Sequence, residues 1–219
     1  MKIIENTISQ ISIDQAIAYK NLTIYPLLGK GEEESEYMIL DEAIALDCVR
    51  VTEVSESGSV PELLLKNEAN KPILLLDGEE LIGAKQNRII NLTILAPANQ
   101  SIKIPVSCVE AGRWAHRSEA FSTSDRVFYS KGRSQKMDQV YQSLRRSRGR
   151  TADQSAIWNS ISEKTASMNT VSATEAMADI FEQHESFLDK YCKAFCSTER
   201  QVGAVFAING EMIGLERSR

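Results

Sequence analysis

Pro72-Ile73-Leu74-Leu75-Leu76-Asp77-Gly78-Glu79-Glu80 runs on into Leu81-Ile82-Gly83-Ala84-Lys85-Gln86-Asn87-Arg88. Two strand-like runs later comes Ser107-Cys108-Val109-Glu110-Ala111-Gly112-Arg113-Trp114. Short apolar runs of Ile, Leu and Val are broken here by turn residues, which is the pattern of short strands in an all-β core. The turns carry carboxylates, amides and cations in a density that a purely structural hairpin does not require. This stretch therefore sets the fold and is the place to look for chemistry.

Working outward, strands are expected over Leu22 to Leu28, Tyr37 to Leu40, Cys48 to Val54, Leu63 to Lys66, Ile73 to Leu76, Asn87 to Leu95 and Ile102 to Ser107. Ile8, Ile11, Ile13 and Ile17 suit an edge strand or a docking arm, and Asp41 is expected to cap one helical turn through Leu46. Gly29 to Glu36 and Ser55 to Pro61 read as wet loops. Arg117 to Arg133 reads as a connector with room for a strand near Val127 to Tyr129. Helices then dominate. Lys136 to Arg146 has Val140 and Leu144 at helical spacing, and Thr151-Ala152-Asp153-Gln154 and Ser172-Ala173-Thr174-Glu175 each match a capping box. The second box opens the longest expected helix, with an apolar stripe from Met177 through Ile180, Phe181, Phe187, Leu188 and Tyr191 to Phe195. Asn209-Gly210 between two apolar runs predicts a closing hairpin. The fold class that follows is α+β, a mostly antiparallel sandwich or barrel-like core under a helical layer, in one compact unit.

The chain has 219 residues, 42% of them apolar and 25% charged, the balance of an ordinary globule. No stretch reaches the ~20 apolar residues of a membrane-spanning helix, and Met1 to Asn6 lacks a signal pattern, so a cytoplasmic location is expected. Cys48, Cys108, Cys192 and Cys196 show no disulfide-framework spacing. A net charge of −5 argues against coating nucleic acid. Lys131 to Arg150 reverses that sign locally, with seven cations against Asp138.

The blocks Gly58-Ser59-Val60-Pro61-Glu62-Leu63, Asp77-Gly78-Glu79-Glu80-Leu81, Gly83-Ala84-Lys85-Gln86-Asn87-Arg88, Pro105-Val106-Ser107-Cys108-Val109-Glu110 with Gly112-Arg113-Trp114, and Ala176-Met177-Ala178-Asp179 resemble, in this order, the ARPP family. These are prokaryotic proteins named for association with ADP-ribosylglycohydrolases and rhodanese-phosphatases. The likeness runs from about Leu22 to Leu215. It implies a place in the handling of NAD- or ADP-ribose-derived nucleotides, in a stress or defence setting. Members usually continue past the last hairpin with an Asp-Leu-Phe block and a helix, where this sequence departs.

The candidate site follows from residue chemistry. Glu80 and Glu110 are candidates for proton transfer, and Cys108, near Arg113 and His116, is a candidate nucleophile or a small buried apolar residue. Glu79, Lys85, Gln86, Asn87, Arg88, Arg113 and Trp114 are candidates for holding a ligand, the guanidinium groups on phosphate and the indole on a ring. Strand alternation sends Lys85 and Asn87 to one side and Gln86 and Arg88 to the other. Arg146 and Arg148, with Arg145 and Arg150, precede the helix expected at Thr151, where an anion would also meet free N–H groups. His116 and His184 stand far apart, so no His-based metal centre is expected, while an oxygen-only Mg²⁺ site on Asp77, Glu79 or Glu80 stays open. No cofactor is named by these residues. Two functions stand: binding and processing of a small anionic nucleotide, or a non-catalytic sensor or scaffold in a homo-oligomer.

Overall fold

The computed structural model describes residues 5–6, 8–29, 36–55 and 61–217. Most of the expected wet loops at Gly29 to Glu36 and Ser55 to Pro61 falls outside these residues. The fold is α+β, with antiparallel sheets, a closed barrel, a C-terminal hairpin and five described helices. Contacts divide the chain into two compact units, Glu36–Gln183 and Met1–Ser35 with His184–Arg219.

The larger unit is built on a barrel of six strands: β5 (Val49–Glu53), β6 (Glu62–Asn67), β8 (Glu79–Gly83), β9 (Arg88–Ile90), β11 (Ser101–Cys108) and β12 (Ala120–Val127), closed in the order β11-β6-β5-β12-β8-β9. Alternation fills its inside with Val49, Val51, Leu63, Leu65, Leu81, Ile90, Ile104, Val106 and Phe121, all buried. A small sheet of β4 (Met38–Ile39), β7 (Ile73–Leu75) and β10 (Ile94–Ala96) adjoins α1 (Leu40–Ala45). The outer wall carries Ile89, Val109 and Phe128 into a second core. There they meet Ile157 and Ile161 of α3 (Gln154–Ser167) and Met177 and Ile180 of α4 (Met177–Gln183). The remaining helix of this unit is α2 (Ser130–Arg145).

Several expectations are corrected here. Glu79–Gly83 is a barrel strand, not a turn. The expected connector supplies all of β12, which pairs with β5 at Ala120 and Phe121 and with β8 from Phe121 to Thr123 and again at Val127, past an irregularity in the register. Asn87 to Leu95 is two strands, parted at Asn91, whose amide oxygen accepts from Ser107 Oγ at 2.7 Å and whose amide nitrogen donates to Arg150 O at 3.2 Å. Asp41 lies inside its helix, after an N-cap at Ile39. The first capping box is displaced by two residues. Asp153 is the cap, accepting from the N–H groups of Ser155 and Ala156, and Thr151 lies outside.

Freed from the box, Gln154 does something else. Its side-chain amide accepts from Cys108 N–H and donates to Cys108 C=O, both at 2.8 Å, clamping the end of β11 to α3. Gln154→Ala is expected to lower the unfolding free energy by about 2 kcal/mol in urea, the cost of two backbone groups losing their partner. A change below ~0.5 kcal/mol would show that water replaces the clamp.

The second unit holds β1 (Ser12–Ile13), β2 (Ile17–Tyr19), β3 (Leu22–Leu28), β13 (Gln201–Ile208), β14 (Glu211–Arg217) and α5 (Glu185–Ala194). Its sheet runs β1-β3-β13-β14, with β2 also on β3 and the predicted Asn209-Gly210 turn in place. Lys20 Nζ lies 5.4–5.7 Å from the rings of Tyr19, Phe187 and Tyr191, tying α5 to the β2–β3 turn. The expected long helix is thus two, broken at His184. Gln183 ends the first by pairing its side-chain amide with both backbone groups of Val171. Ser130–Arg145 is the longest described helix instead.

Candidate functional site

Register decides which side chains meet. Leu81 pairs with Arg88, and Arg88 with Cys108, so these three form one row across β8, β9 and β11. Leu81 belongs to the barrel interior, which places Arg88 and Cys108 inside as well. Glu53 follows Val49 and Val51 in alternation on β5 and faces inward too. Glu80 pairs instead with Ile89, on the wall that faces the helices. One stretch thus feeds two polar groups on opposite sides of the same wall.

The inner group centres on Arg88, which is 0% exposed. Its Nη1 donates to Gln86 Oε1 at 2.7 Å, while Nε and Nη2 are buried without a hydrogen bond among the described residues. Burial lowers its pKa, the nearby Cys108 and Glu53 resist that, and the Arg113 charge adds to it. Both carboxylate oxygens of Glu53 are likewise buried without a hydrogen bond among the described residues. Trp114, half exposed, has its ring centroid 5.7 Å from the Arg88 guanidinium carbon and 5.5 Å from Lys85 Nζ. An ion that keeps an unused bidentate edge in the interior of a barrel is costly to maintain, and its geometry suits a carboxylate or phosphate.

The outer group is more fully engaged. Glu110 Oε2 accepts from Arg113 Nη2 at 2.7 Å and from Asn87 N–H at 3.1 Å, and Oε1 accepts from Thr174 Oγ1 at 3.1 Å. Burial pushes the Glu110 carboxyl up, but these donors and the Arg113 charge outweigh it and hold the group below its ordinary range. Arg113 also donates to Asn87 Oδ1 and to the carbonyls of Ala84, Ala115 and Gly83. It works as a staple between turns. Gln86 bridges the two groups, since its Nε2 donates to Glu110 O at 3.0 Å.

Glu80, also 0% exposed, accepts from Ser124 Oγ at 3.0 Å and lies 3.9 Å from Arg126, while its Oε1 has no hydrogen bond among the described residues. Burial raises its pKa to about 7 against the pull of Ser124, Arg126 and Asn87, with the Glu110 charge adding to the rise. Arg126 in turn pairs with Glu182 of α4 at 3.0 Å. Two carboxyls with opposite shifts in one seam are the arrangement that general acid–base chemistry uses.

The other sequence candidates separate from this seam. Glu79 accepts from Leu76 N–H at 3.0 Å, and its pKa is raised to about 7 by burial, with Asp41 adding to the rise. Asp77 pairs with Lys136, a fully buried lysine that also donates to the carbonyls of Ile90 and Asn91. Arg146 and Arg148 are exposed in the α2–α3 connection. Cys108 is fully buried in the row with Leu81 and Arg88, and its Sγ donates to Glu110 O at 3.4 Å. Among the described residues no group of three or more His, Cys, Asp or Glu side chains is placed to hold a metal ion. Glu53, Ser124, Arg126 and Thr174 are site residues that pattern reading passed over. For Glu53 the signal was present in its alternation with Val49 and Val51.

Fold and seam together define an α+β protein on a six-stranded barrel whose wall carries buried ionisable groups on both faces. Residues 10–218 match the model of the ARG and Rhodanese-Phosphatase-superfamily-associated Protein domain, and the chain belongs to that family. No curated protein and no solved structure matches it.

Proposed function

We propose that the chain binds an anionic nucleotide of the NAD- or ADP-ribose-derived class at the barrel end formed by Arg88, Glu53, Lys85 and Trp114. The observation that carries this reading is the free Nε and Nη2 edge of the buried Arg88. A phosphate or carboxylate oxygen pair fits that fork, and ribose hydroxyls supply the donors that both Glu53 oxygens lack. A base has the half-exposed indole of Trp114 to stack on. Membership of a family named with ARG proteins supports the nucleotide class by association.

Recognition without turnover is a second reading, favoured by the engagement of Glu110 with three donors, which leaves it a poor base. Glu80, with its raised pKa and free Oε1, is the acid or base of the catalytic reading. Incubation with ADP-ribose and NAD, with and without Mg²⁺, is followed by mass and by calorimetry. Binding is expected to weaken at least ~100-fold in Arg88→Ala, since a buried charge-assisted pair is lost. Product that disappears in Glu80→Gln while binding persists supports processing. Binding with no product supports the sensor, and no heat with any of these ligands sinks the proposal.

A further inference from the structure

A second concavity lies on the helical side of the larger unit, between α3 and the segment that leads into α4. It holds about 200 Å³ and is lined by Trp158, Ile161, Ser162, Thr165, Ser172 and Glu175, among others. Clefts that bury a drug-sized molecule run to roughly 300–1,000 Å³. This one has room for a single ring and not for a dinucleotide.

Its lining combines two kinds of surface. Trp158, 36% exposed, and the buried Ile161 supply its apolar part from α3. Polar groups with unused capacity complete the lining, Ser162 and Thr165 on the same helix and Ser172 and Glu175 on the segment that leads into α4. The side chains of Ser162, Thr165 and Glu175 make no hydrogen bond or ion pair among the described residues. Ser172 Oγ accepts from Ala176 N–H at 2.8 Å and keeps its own proton to donate. Glu175 has a φ of 52°, a left-handed backbone that is strained for a glutamate, and so the loop holds this carboxylate where an ordinary conformation would not.

A flat ring with C–H groups on one face and adjacent hydroxyls at its edge matches this lining. The C–H face packs on the indole, and a carboxylate accepts from two neighbouring hydroxyls at once, as acidic residues do on ribose. The negative charge of Glu175 disfavours a phosphate in the same space. We infer that this cavity binds a neutral ring bearing a vicinal diol, presented either by a free sugar or by the ribose of a nucleoside. The site is independent of the barrel-end reading, which concerns an anion.

The chain has two tryptophans, Trp114 and Trp158, so Trp114→Phe leaves Trp158 as the only indole reporter. Titration of that variant with D-ribose, adenosine and 2′,3′-dideoxyadenosine is expected to give saturable emission changes with the first two and none with the third. A Kd on the order of 1 mM suits so small a ring. Glu175→Gln is expected to weaken binding about tenfold, the loss of a charge-assisted acceptor. Response to adenosine alone assigns the diol to a nucleoside, and response to both assigns it to the sugar. Calorimetry on the unaltered protein repeats the test without the Trp114 change. Silence in both measurements with ribose and adenosine, or an equal response to the dideoxy compound, overturns the inference.

Discussion

Arg113→Ala is expected to lower the unfolding free energy of the larger unit by about 3–5 kcal/mol, the range for breaking a buried ion pair from one side. The reason is the number of groups that one guanidinium satisfies. It meets Glu110, Asn87 and the carbonyls of Gly83, Ala84 and Ala115, and it is only 5% exposed. Without it, Glu110 keeps its burial and loses its strongest donor. Arg113→Lys is expected to recover little, because one ammonium cannot reproduce a planar fork directed at several acceptors. Urea unfolding followed by tryptophan emission measures both variants. A loss under ~1 kcal/mol for Arg113→Ala would mean that the seam is wet and the pair screened.

The second large effect is a stability that falls as pH rises. Glu79 and Glu80 both have folded pKa values raised from 4.5 to about 7. Between those two values the folded state holds protons that the unfolded chain has released, so unfolding gains on folding with each pH step upward. The stabilising proton is fully in place below the unfolded value and is lost as pH passes the folded one. A shift of this size corresponds to about 3 kcal/mol per group at most. Glu110 runs the other way, since its pKa is lowered. Its contribution is present above its unfolded value and disappears in stronger acid. Urea midpoints taken from pH 5 to pH 8 are therefore expected to decline, and Glu80→Gln to flatten the decline and raise stability at pH 8. A flat profile in the unaltered chain would show that Glu80 is hydrated.

Alternation made half of the barrel legible. β5, β6 and β11 carry inward Val, Leu and Ile at a period of two, β7 of the small sheet shows the same alternation of burial, and the Asn209-Gly210 hairpin follows from its turn chemistry. β12 escaped because Ser122 to Arg126 has the composition of a loop, and its place in the sheet comes from Ala120 and Phe121 on β5 and from Phe121 to Thr123 and Val127 on β8. β8 escaped because two consecutive glutamates look like a wet turn, although the wall buries both. Lys136 looked like one cation of a solvated run. It lies four residues before the buried Val140, on the face that α2 turns inward, and that spacing was readable. Which arginine has a free edge was not readable, since Arg88 and Arg113 differ only in partners that distant strands bring to them.

The central claim is that the unused edge of Arg88 waits for an anionic oxygen pair. A crystal structure determined with ADP-ribose tests it most directly. Phosphate oxygens are expected within hydrogen-bond distance of Arg88 Nε and Nη2, with ribose hydroxyls on Glu53 and the adenine on Trp114. Arg88 closed on Glu53 with the ligand absent or bound elsewhere would contradict it.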